Sequence, residues 1–243
     1  MRAELLKVRS MPTPLWCLLA VCFCALLGLA AVWNWGLGTD LLAFDVAIGF
    51  PLAIASIVFG AWIFGVEYGQ NTLRRTLTAD PRRLRLFFSK FIVAVVLVSL
   101  VTVLIHLIAL PLYDLAADRH GQSVEIAEFR DLVLSKLVAS LVYVVVGGAL
   151  VLITGSMAGG VTAALLFIFV VDTVLSLVPE IGDYSLGVAL SDVLIAIRPA
   201  EDMQNDFFTE GTHPTKEAVA ILVAWLVVLG GLGWLRLWRS DVK

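Results

Sequence analysis

Six long apolar runs separated by short polar segments dominate this sequence and leave few possible folds. Each run contains about 18 to 25 mostly apolar residues, which is the length that an α-helix needs to cross the hydrocarbon core of a bilayer. Apolar residues make up 60% of the chain and charged residues only 15%, a larger apolar share than a soluble domain of this length can bury. We therefore predict an all-α polytopic membrane protein that forms one transmembrane domain over residues 1–243.

The first run resembles the front of a signal peptide, because three basic residues precede it. It is longer than the usual apolar region of about 7–15 residues and no clear small-x-small cleavage site follows, so we interpret it as a retained span. Pro111 is expected to end the third span, and a tight glycine hairpin, TGSMAGG, to join the fourth and fifth. The predicted spans cover residues 15–33, 44–66, 87–112, 137–153, 161–178 and 218–235.

A shorter apolar stretch, Leu186 to Ile197, precedes the last span. It is too short to cross a bilayer and fits a re-entrant or interfacial segment that Arg198 and Pro199 stop. Such a segment could form part of an outer gate. The alternative is a helix that packs flat on the bundle.

Basic residues are unevenly distributed along the chain. Twelve of the 17 Lys and Arg residues lie in the two terminal segments and in Glu67 to Lys90, and the other five lie in the two large intervening loops. Since cytoplasmic loops carry the excess of Lys and Arg, we predict a cell membrane protein, of the inner or plasma membrane, with both termini in the cytoplasm. The opposite loops are acidic, which would attract cationic substrates or simply keep an outer surface solvated.

The most basic of these cytoplasmic stretches, Glu67 to Lys90, is predicted to contain a short coupling helix. Leu73 and Leu77 would share one face at the i, i+4 spacing, while Arg74 and Arg75 would lie on the others. The helix is too short to build a domain. We expect it to lie at the membrane surface, where a soluble partner could bind it.

Together these features resemble the permease subunits of ABC-2 type ATP-binding cassette transporters. The resemblance covers nearly the whole chain in architecture. In that family the loop after the second helix docks on the nucleotide-binding subunit, and Asn71 here stands where the family usually has glycine. The matching residues are Ala3 to Lys7 with Arg9 and Ser10, and Glu67, Tyr68, Thr72, Leu73, Arg74, Leu77, Pro81, Arg83 and Lys90.

The resemblance implies a complex of two permease chains, identical or related, with two ABC ATPase chains at the lipid bilayer. The partner would bind ATP and Mg, since no GxxxxGK[ST] phosphate loop occurs in this chain. We therefore expect a transport subunit, most often an exporter, that is not an enzyme and that holds no cofactor and no nucleic acid of its own. The implied ATPase-docking residues are Glu67, Tyr68, Thr72, Leu73, Arg74, Arg75 and Leu77.

Two other functions are compatible with the sequence. A membrane scaffold that recruits a soluble partner without transport would share the same pattern. An intramembrane enzyme would need a nucleophile or a metal, but Gly155 to Gly159 misses GxSxG by one position and HExxH is absent. The three His residues are far apart and the Cys residues lack CxxC spacing, so no metal site is expected.

Three ionisable residues, Asp45, His106 and Asp172, are predicted to lie within the membrane. Such residues are candidates for a substrate path by default, because a charge in lipid is costly. Structural roles are the alternative: Asp45 at the interface, and His106 in a hydrogen bond within the bundle, for instance with Thr102 one turn earlier. Asp172 is expected to face the bundle interior.

Overall fold

The computed structural model describes residues 12–35, 41–69, 83–119, 126–198 and 212–239. Within these ranges the chain is helical and contains no strand. The helices are α1 (Thr13–Trp35), α2 (Leu41–Gly69), α3 (Arg83–Asp118), α4 (Ile126–Thr154), α5 (Met157–Ser176), α6 (Leu186–Ile197) and α7 (Thr215–Arg239). Helix α5 is interrupted by a π-helical segment, Phe167–Asp172, and a 3₁₀ turn, Gly182–Tyr184, leads into α6.

All of these helices except α6 are long and apolar enough to cross a membrane. Helices suit that setting because the bilayer core offers no water to hydrogen-bond with the backbone, and a helix satisfies its own N–H and C=O groups. The predicted fold class, an all-α protein with six membrane-length helices, is confirmed. The chain is a multi-pass membrane protein.

Two predicted boundaries are wrong in the third and fourth spans. Pro111 does not end α3, which continues to Asp118. Proline removes one helical hydrogen bond, but membrane helices tolerate that loss where neighbouring groups compensate. Helix α4 begins at Ile126 rather than near residue 137, so Lys136 lies inside it. Hydropathy placed the boundary at that charge, although a lysine can remain within a helix near the membrane interface.

The connection between α4 and α5 is shorter than predicted. It consists of Gly155 and Ser156, because Met157 already begins the next helix. Gly155 has a φ of 70°, in the left-handed region that glycine adopts without steric cost. The Ser156 hydroxyl accepts a hydrogen bond from the Gly159 N–H at 3.3 Å and caps α5.

Helices α2 and α4 form the centre of the bundle. Inside the molecule, 61% of the α2 span and 56% of the α4 span are buried, against 6% for α1. Two glycines allow the central pair to approach: a Cβ at Gly60 would collide with the Val144 carbonyl, and one at Gly147 with the Ile57 carbonyl. Small residues let membrane helices pack backbone against backbone.

Aromatic contacts define the two ends of the bundle. At one end the Arg119 guanidinium lies 4.7 Å from the centre of the Trp33 ring, which joins the end of α1 to the end of α3. At the other end Phe87 contacts both Phe64 and Trp234, with ring centres 5.8 and 5.6 Å apart. We call these the Trp33 end and the Trp234 end. Because successive spans alternate in direction, the start of α1 and the end of α7 both lie at the Trp234 end.

Helix α6 occupies the predicted range, Leu186 to Ile197, and Arg198 ends it in an extended conformation. It is about 18 Å long at 1.5 Å per residue, too short to cross a bilayer. Its buried face packs into the same apolar cluster as residues of α4 and α7. These contacts therefore correspond to the second of the two alternatives, a helix that packs against the bundle.

Candidate functional site

A buried ion pair joins the two helices on either side of the basic segment. Lys90, near the start of α3, lies with its Nζ 3.3 Å from Oε1 of Glu67, near the end of α2. The two side chains are 4% and 2% exposed. Lys90 Nζ also donates a hydrogen bond to the Ile63 carbonyl oxygen at 2.6 Å. The pair therefore fixes the end of one span to the beginning of the next.

The buried pair bears on the docking residues implied by the resemblance. The Glu67 carboxylate faces Lys90 inside the bundle, and Tyr68 packs partly buried against the apolar cluster around Phe64. Residues 70–82 lie outside the described part of the chain. The docking role of Thr72, Leu73, Arg74, Arg75 and Leu77 stays a prediction.

His106 lies at a second buried polar site, between α3 and α4. The side chain is 1% exposed, and its Nδ1 lies 2.7 Å from the Thr102 carbonyl oxygen. A carbonyl oxygen can only accept, so Nδ1 carries the proton in this bond. The hydrogen bond with Thr102, which was the structural alternative for His106, is present with the backbone as its acceptor, and the substrate-path role of His106 stays a prediction. The Thr102 hydroxyl in turn bonds that of Ser140 on α4 at 3.2 Å.

Asp172 is the third candidate, and the structure gives it two partners. It closes the π-helical segment of α5 and is 7% exposed, so the predicted inward orientation is confirmed. Its two carboxylate oxygens accept hydrogen bonds from the Leu186 and Gly187 N–H groups, both at 2.8 Å. These groups begin α6, where a negative charge is favourable against the helix dipole. Asp172 therefore holds the start of α6 against α5.

We expect Asp172→Ala to lower the free energy of unfolding by about 1–3 kcal/mol, because the buried Leu186 N–H and the partly buried Gly187 N–H lose their acceptors. Asp172→Asn keeps one oxygen acceptor and should cost less. Thermal unfolding in a mild detergent measures both. Asp183→Ala is the matched control, since Asp183 is exposed in the 3₁₀ turn before α6. An Asp172→Ala protein that melts at the wild-type temperature would contradict the capping role.

A second carboxylate, that of Asp192 on α6, accepts backbone hydrogen bonds in a similar way at the Trp33 end. It accepts hydrogen bonds from the Thr212 and His213 N–H groups at 2.9 and 3.0 Å, and its Oδ2 lies 3.3 Å from His213 Nδ1. The His213 ring contacts Tyr184, whose carbonyl accepts a bond from the Trp225 ring N–H at 2.8 Å. These contacts tie α6 to the start of α7. The sequence had marked Asp192 only as one of several loop carboxylates.

Lys136 lines a cavity that the sequence analysis missed. The cavity has a volume of about 330 Å³ and lies between α2, α4, α5 and α6. From α4 it is lined at helical spacing by Lys136, Ala139, Ser140 and Tyr143. A lysine inside an apolar run, DLVLSKLVASLVYVVV, was the available signal, but the predicted boundary placed it outside the span.

Asp45 lies in the first turns of α2, and its side chain is outside the described part of the structure. Its substrate-path role stays a prediction. Cys17, Cys22 and Cys24 are free thiols, all on α1. Among the described residues no group of three His, Cys, Asp or Glu side chains could hold a metal ion.

Comparison of the chain with protein-family models, with curated proteins and with solved structures found no match.

Proposed function

We propose that this chain is the membrane-spanning permease subunit of an ABC-2 type transporter. It would move a substrate, in the export direction, with energy from ATP hydrolysed on a separate ABC ATPase subunit. Two features support the proposal. One is the set of residues around Glu67 and Thr72 that resembles the family's docking loop, and the other is the architecture of six membrane-length helices.

In the proposed orientation the Trp234 end faces the cytoplasm. The described helix ends that lead into the terminal segments and the basic segment, which hold most of the Lys and Arg residues, lie at this end. The Trp33 end, with the acidic loops and α6, then faces outwards. The proposed location is the cell membrane, inner or plasma.

The buried pair of Glu67 and Lys90 is the observation that best supports coupling to an ATPase. A partner that pushes on residues 70–82 acts on a segment whose two flanking helices are tied together. A displacement of this segment by the partner would therefore move α2 and α3 together. From α2 it would pass directly to α4 through the close contacts at Gly60 and Gly147. A conformational change in the ATPase needs such a rigid path to reach the membrane.

The complete transporter would contain two permease chains, identical or related, and two ATPases that bind ATP and Mg. The second permease would cover part of the apolar surface that faces outwards from the bundle. A scaffold that binds the same partner without transport is the competing proposal, and the two differ in one measurable property. Only the permease stimulates ATP turnover by its partner when substrate is present.

The test is a double replacement, Leu73→Ser with Leu77→Ser, in a tagged chain purified in mild detergent. We expect the variant to reach the membrane but to lose the co-purifying ATPase, because two buried leucines contribute about 1.5–3 kcal/mol each. The measurement is the amount of ATPase recovered per permease, together with substrate-stimulated ATP hydrolysis.

Leu177→Ser with Ile181→Ser is the matched control. These side chains have the same spacing, are 77% and 54% exposed, and lie beyond the other end of the bundle. The control should retain the ATPase. Wild-type recovery and turnover in the Leu73 and Leu77 variant would refute the docking assignment. Recovery of a partner with no stimulated turnover in the wild type would favour the scaffold.

A further inference from the structure

We propose that a cavity between α1, α2 and α3 binds a neutral hydrocarbon chain that ends in a hydroxyl group, with this hydroxyl donating a hydrogen bond to Ser56. The cavity has a volume of about 540 Å³, and we call it the Ser56 cavity. Of the described residues that line it, Leu52 alone also lines the cavity beside Lys136. The inference goes beyond the proposed function, because binding at this site requires no ATPase.

The Ser56 cavity lies in the half of the bundle toward the Trp234 end. Helix α1 starts at that end and lines the cavity from its first turn to Val21, while α2 and α3 contribute residues near their midpoints, among them Ser56 and Val101. Leu15, which also lines the cavity, is 56% exposed on the surface of the bundle. On a membrane protein that surface faces lipid. We therefore expect a ligand to enter from the bilayer.

The lining of the Ser56 cavity selects against ions. The described residues that line it are apolar except for Ser56 and Cys17, and none of them is charged. An ion that entered would lose its hydration without gaining an opposite charge, which is strongly unfavourable. Apolar cavities instead stay free of water and take up apolar guests. The lining therefore favours a neutral hydrocarbon.

Ser56 distinguishes one neutral ligand from another. The residue is 2% exposed, and its hydroxyl oxygen lies 2.7 Å from the Leu52 carbonyl oxygen. A carbonyl oxygen can only accept, so the Ser56 proton is used in this bond. The Ser56 oxygen retains lone pairs to which no described residue donates. It can accept a hydrogen bond from a ligand but has no proton left to donate, which favours a hydroxyl over an ether.

The size of the cavity suits one chain of medium length. Ligand sites usually measure about 300–1,000 Å³, and this cavity lies within that range. Along α1 the lining extends from Leu15 to Val21, about 9 Å at 1.5 Å per residue. Walls that face an unfilled space lose dispersion contacts, so a chain that fills it stabilises the folded protein.

The test uses Cys17 as a reporter, because it lines the cavity whereas Cys24 lies elsewhere on α1. Two single-cysteine forms of the full chain are purified in a neutral maltoside detergent, one with Cys22→Ala and Cys24→Ala, the other with Cys17→Ala and Cys22→Ala. The rate of alkylation by N-ethylmaleimide is measured against the amount of 1-decanol. At ten times its apparent Kd, decanol should slow alkylation of Cys17 about tenfold and leave that of Cys24 unchanged.

The melting temperature of the wild type gives a second readout that needs no thiol. We expect decanol to raise it with saturation, because a ligand that binds the folded state stabilises it. Decyl methyl ether, decyl sulfate and decyltrimethylammonium are compared with decanol at equal mole fraction in the micelle. The ether has no donor and should bind about three- to tenfold more weakly, and the two ions should give no saturable protection of Cys17.

Ser56→Ala should remove the preference for decanol over its ether, because the acceptor is lost, and should leave binding of the ether unchanged. Ala55→Phe should fill the cavity and abolish protection by decanol. Ala20→Phe is the matched control, since Ala20 is exposed on α1 and lies outside the cavity. If Ala55→Phe does not fold, Ser56→Ala and the probe comparison still decide.

Dioctanoylglycerol, which has two chains and one hydroxyl, identifies the source of the ligand. Protection of Cys17 at a lower mole fraction than decanol requires assigns the chain to a glycerolipid, and weaker protection assigns it to a free alcohol; either result supports the site.

Four outcomes would overturn the proposal: equal protection by either ion, equal protection of Cys24, unchanged discrimination in Ser56→Ala, or decanol that neither protects Cys17 nor shifts the melting temperature. None of them depends on a co-purifying ATPase, so a failure here is distinct from a failure of the proposed function.

Discussion

Lys90→Met is expected to lower the free energy of unfolding by about 3–5 kcal/mol, the cost of breaking a buried ion pair from one side. The substitution leaves the Glu67 carboxylate 2% exposed but without the cation that lies 3.3 Å from it. The effect should appear as a lower melting temperature in mild detergent and as a smaller fraction of monodisperse protein. Glu67→Met should be destabilising for the corresponding reason.

The double variant, Glu67→Met with Lys90→Met, separates the effect of the charge pair on stability from the effect of side-chain volume. Replacing both partners by apolar residues of similar size is often neutral or stabilising, so it should recover most of the loss. Lys216→Met is the control for removing a lysine, because Lys216 is exposed. If the double variant is as unstable as the sum of the two single variants, the charges do not interact and the pair does not join α2 to α3.

Gly147→Ala is expected to have the second large effect, a loss of about 1–3 kcal/mol from overpacking. The new methyl group would collide with the Ile57 carbonyl and lie 3.2 Å from the Ala61 nitrogen. Both obstacles are backbone atoms of α2, which cannot move aside as a side chain can. The central helices must separate, and we expect a lower melting temperature for Gly147→Ala and for Gly60→Ala.

Gly230→Ala on α7 is the matched control. A Cβ there would meet nothing within 4 Å, so the substitution adds the same methyl group without a collision. Alanine also has the higher helix propensity, by up to about 1 kcal/mol. Gly230→Ala should therefore be neutral or stabilising. If Gly147→Ala behaves in the same way, α2 and α4 are not in backbone contact.

The six spans could be predicted from the sequence because hydrophobic length alone decides which segments can cross a bilayer. Their ends could not be predicted as well. Pro111 and Lys136 look like boundaries in a one-dimensional reading, but the helical backbone continues through both. A proline or lysine destabilises a membrane helix only to the extent that neighbouring groups do not compensate for the lost hydrogen bond or the buried charge. Which groups are neighbours depends on how the helices pack. The range of α6 was predicted because a mostly apolar stretch begins at Leu186 and is stopped by Arg198 and Pro199.

The candidate sites, like the helices, could be predicted from the sequence only in part. The sequence singled out Asp45, His106 and Asp172 by residue type, since a charge in lipid is costly, and Glu67 through the resemblance to the family's docking loop. It identified one partner, Thr102, because that residue is one helical turn away. Lys90 and the start of α6 could not be identified as partners, since those contacts cross between helices and depend on how the helices pack. Lys136 was missed because its significance depends on a cavity formed by four helices.

The π-helical segment of α5 amounts geometrically to one extra residue accommodated within a continuous helix. In an α-helix each residue turns the chain by about 100°, so a π turn offsets every later side chain by nearly that angle relative to the earlier ones. Upstream of the offset, Ala164 stays buried in the bundle; at its end, Asp172 is aimed at the first N–H groups of α6. A rotation that relaxed this segment to a regular helix would withdraw the carboxylate from α6 and turn Phe169, which lines the Lys136 cavity. The start of the short helix and the lining of the cavity therefore both depend on the same distortion of α5.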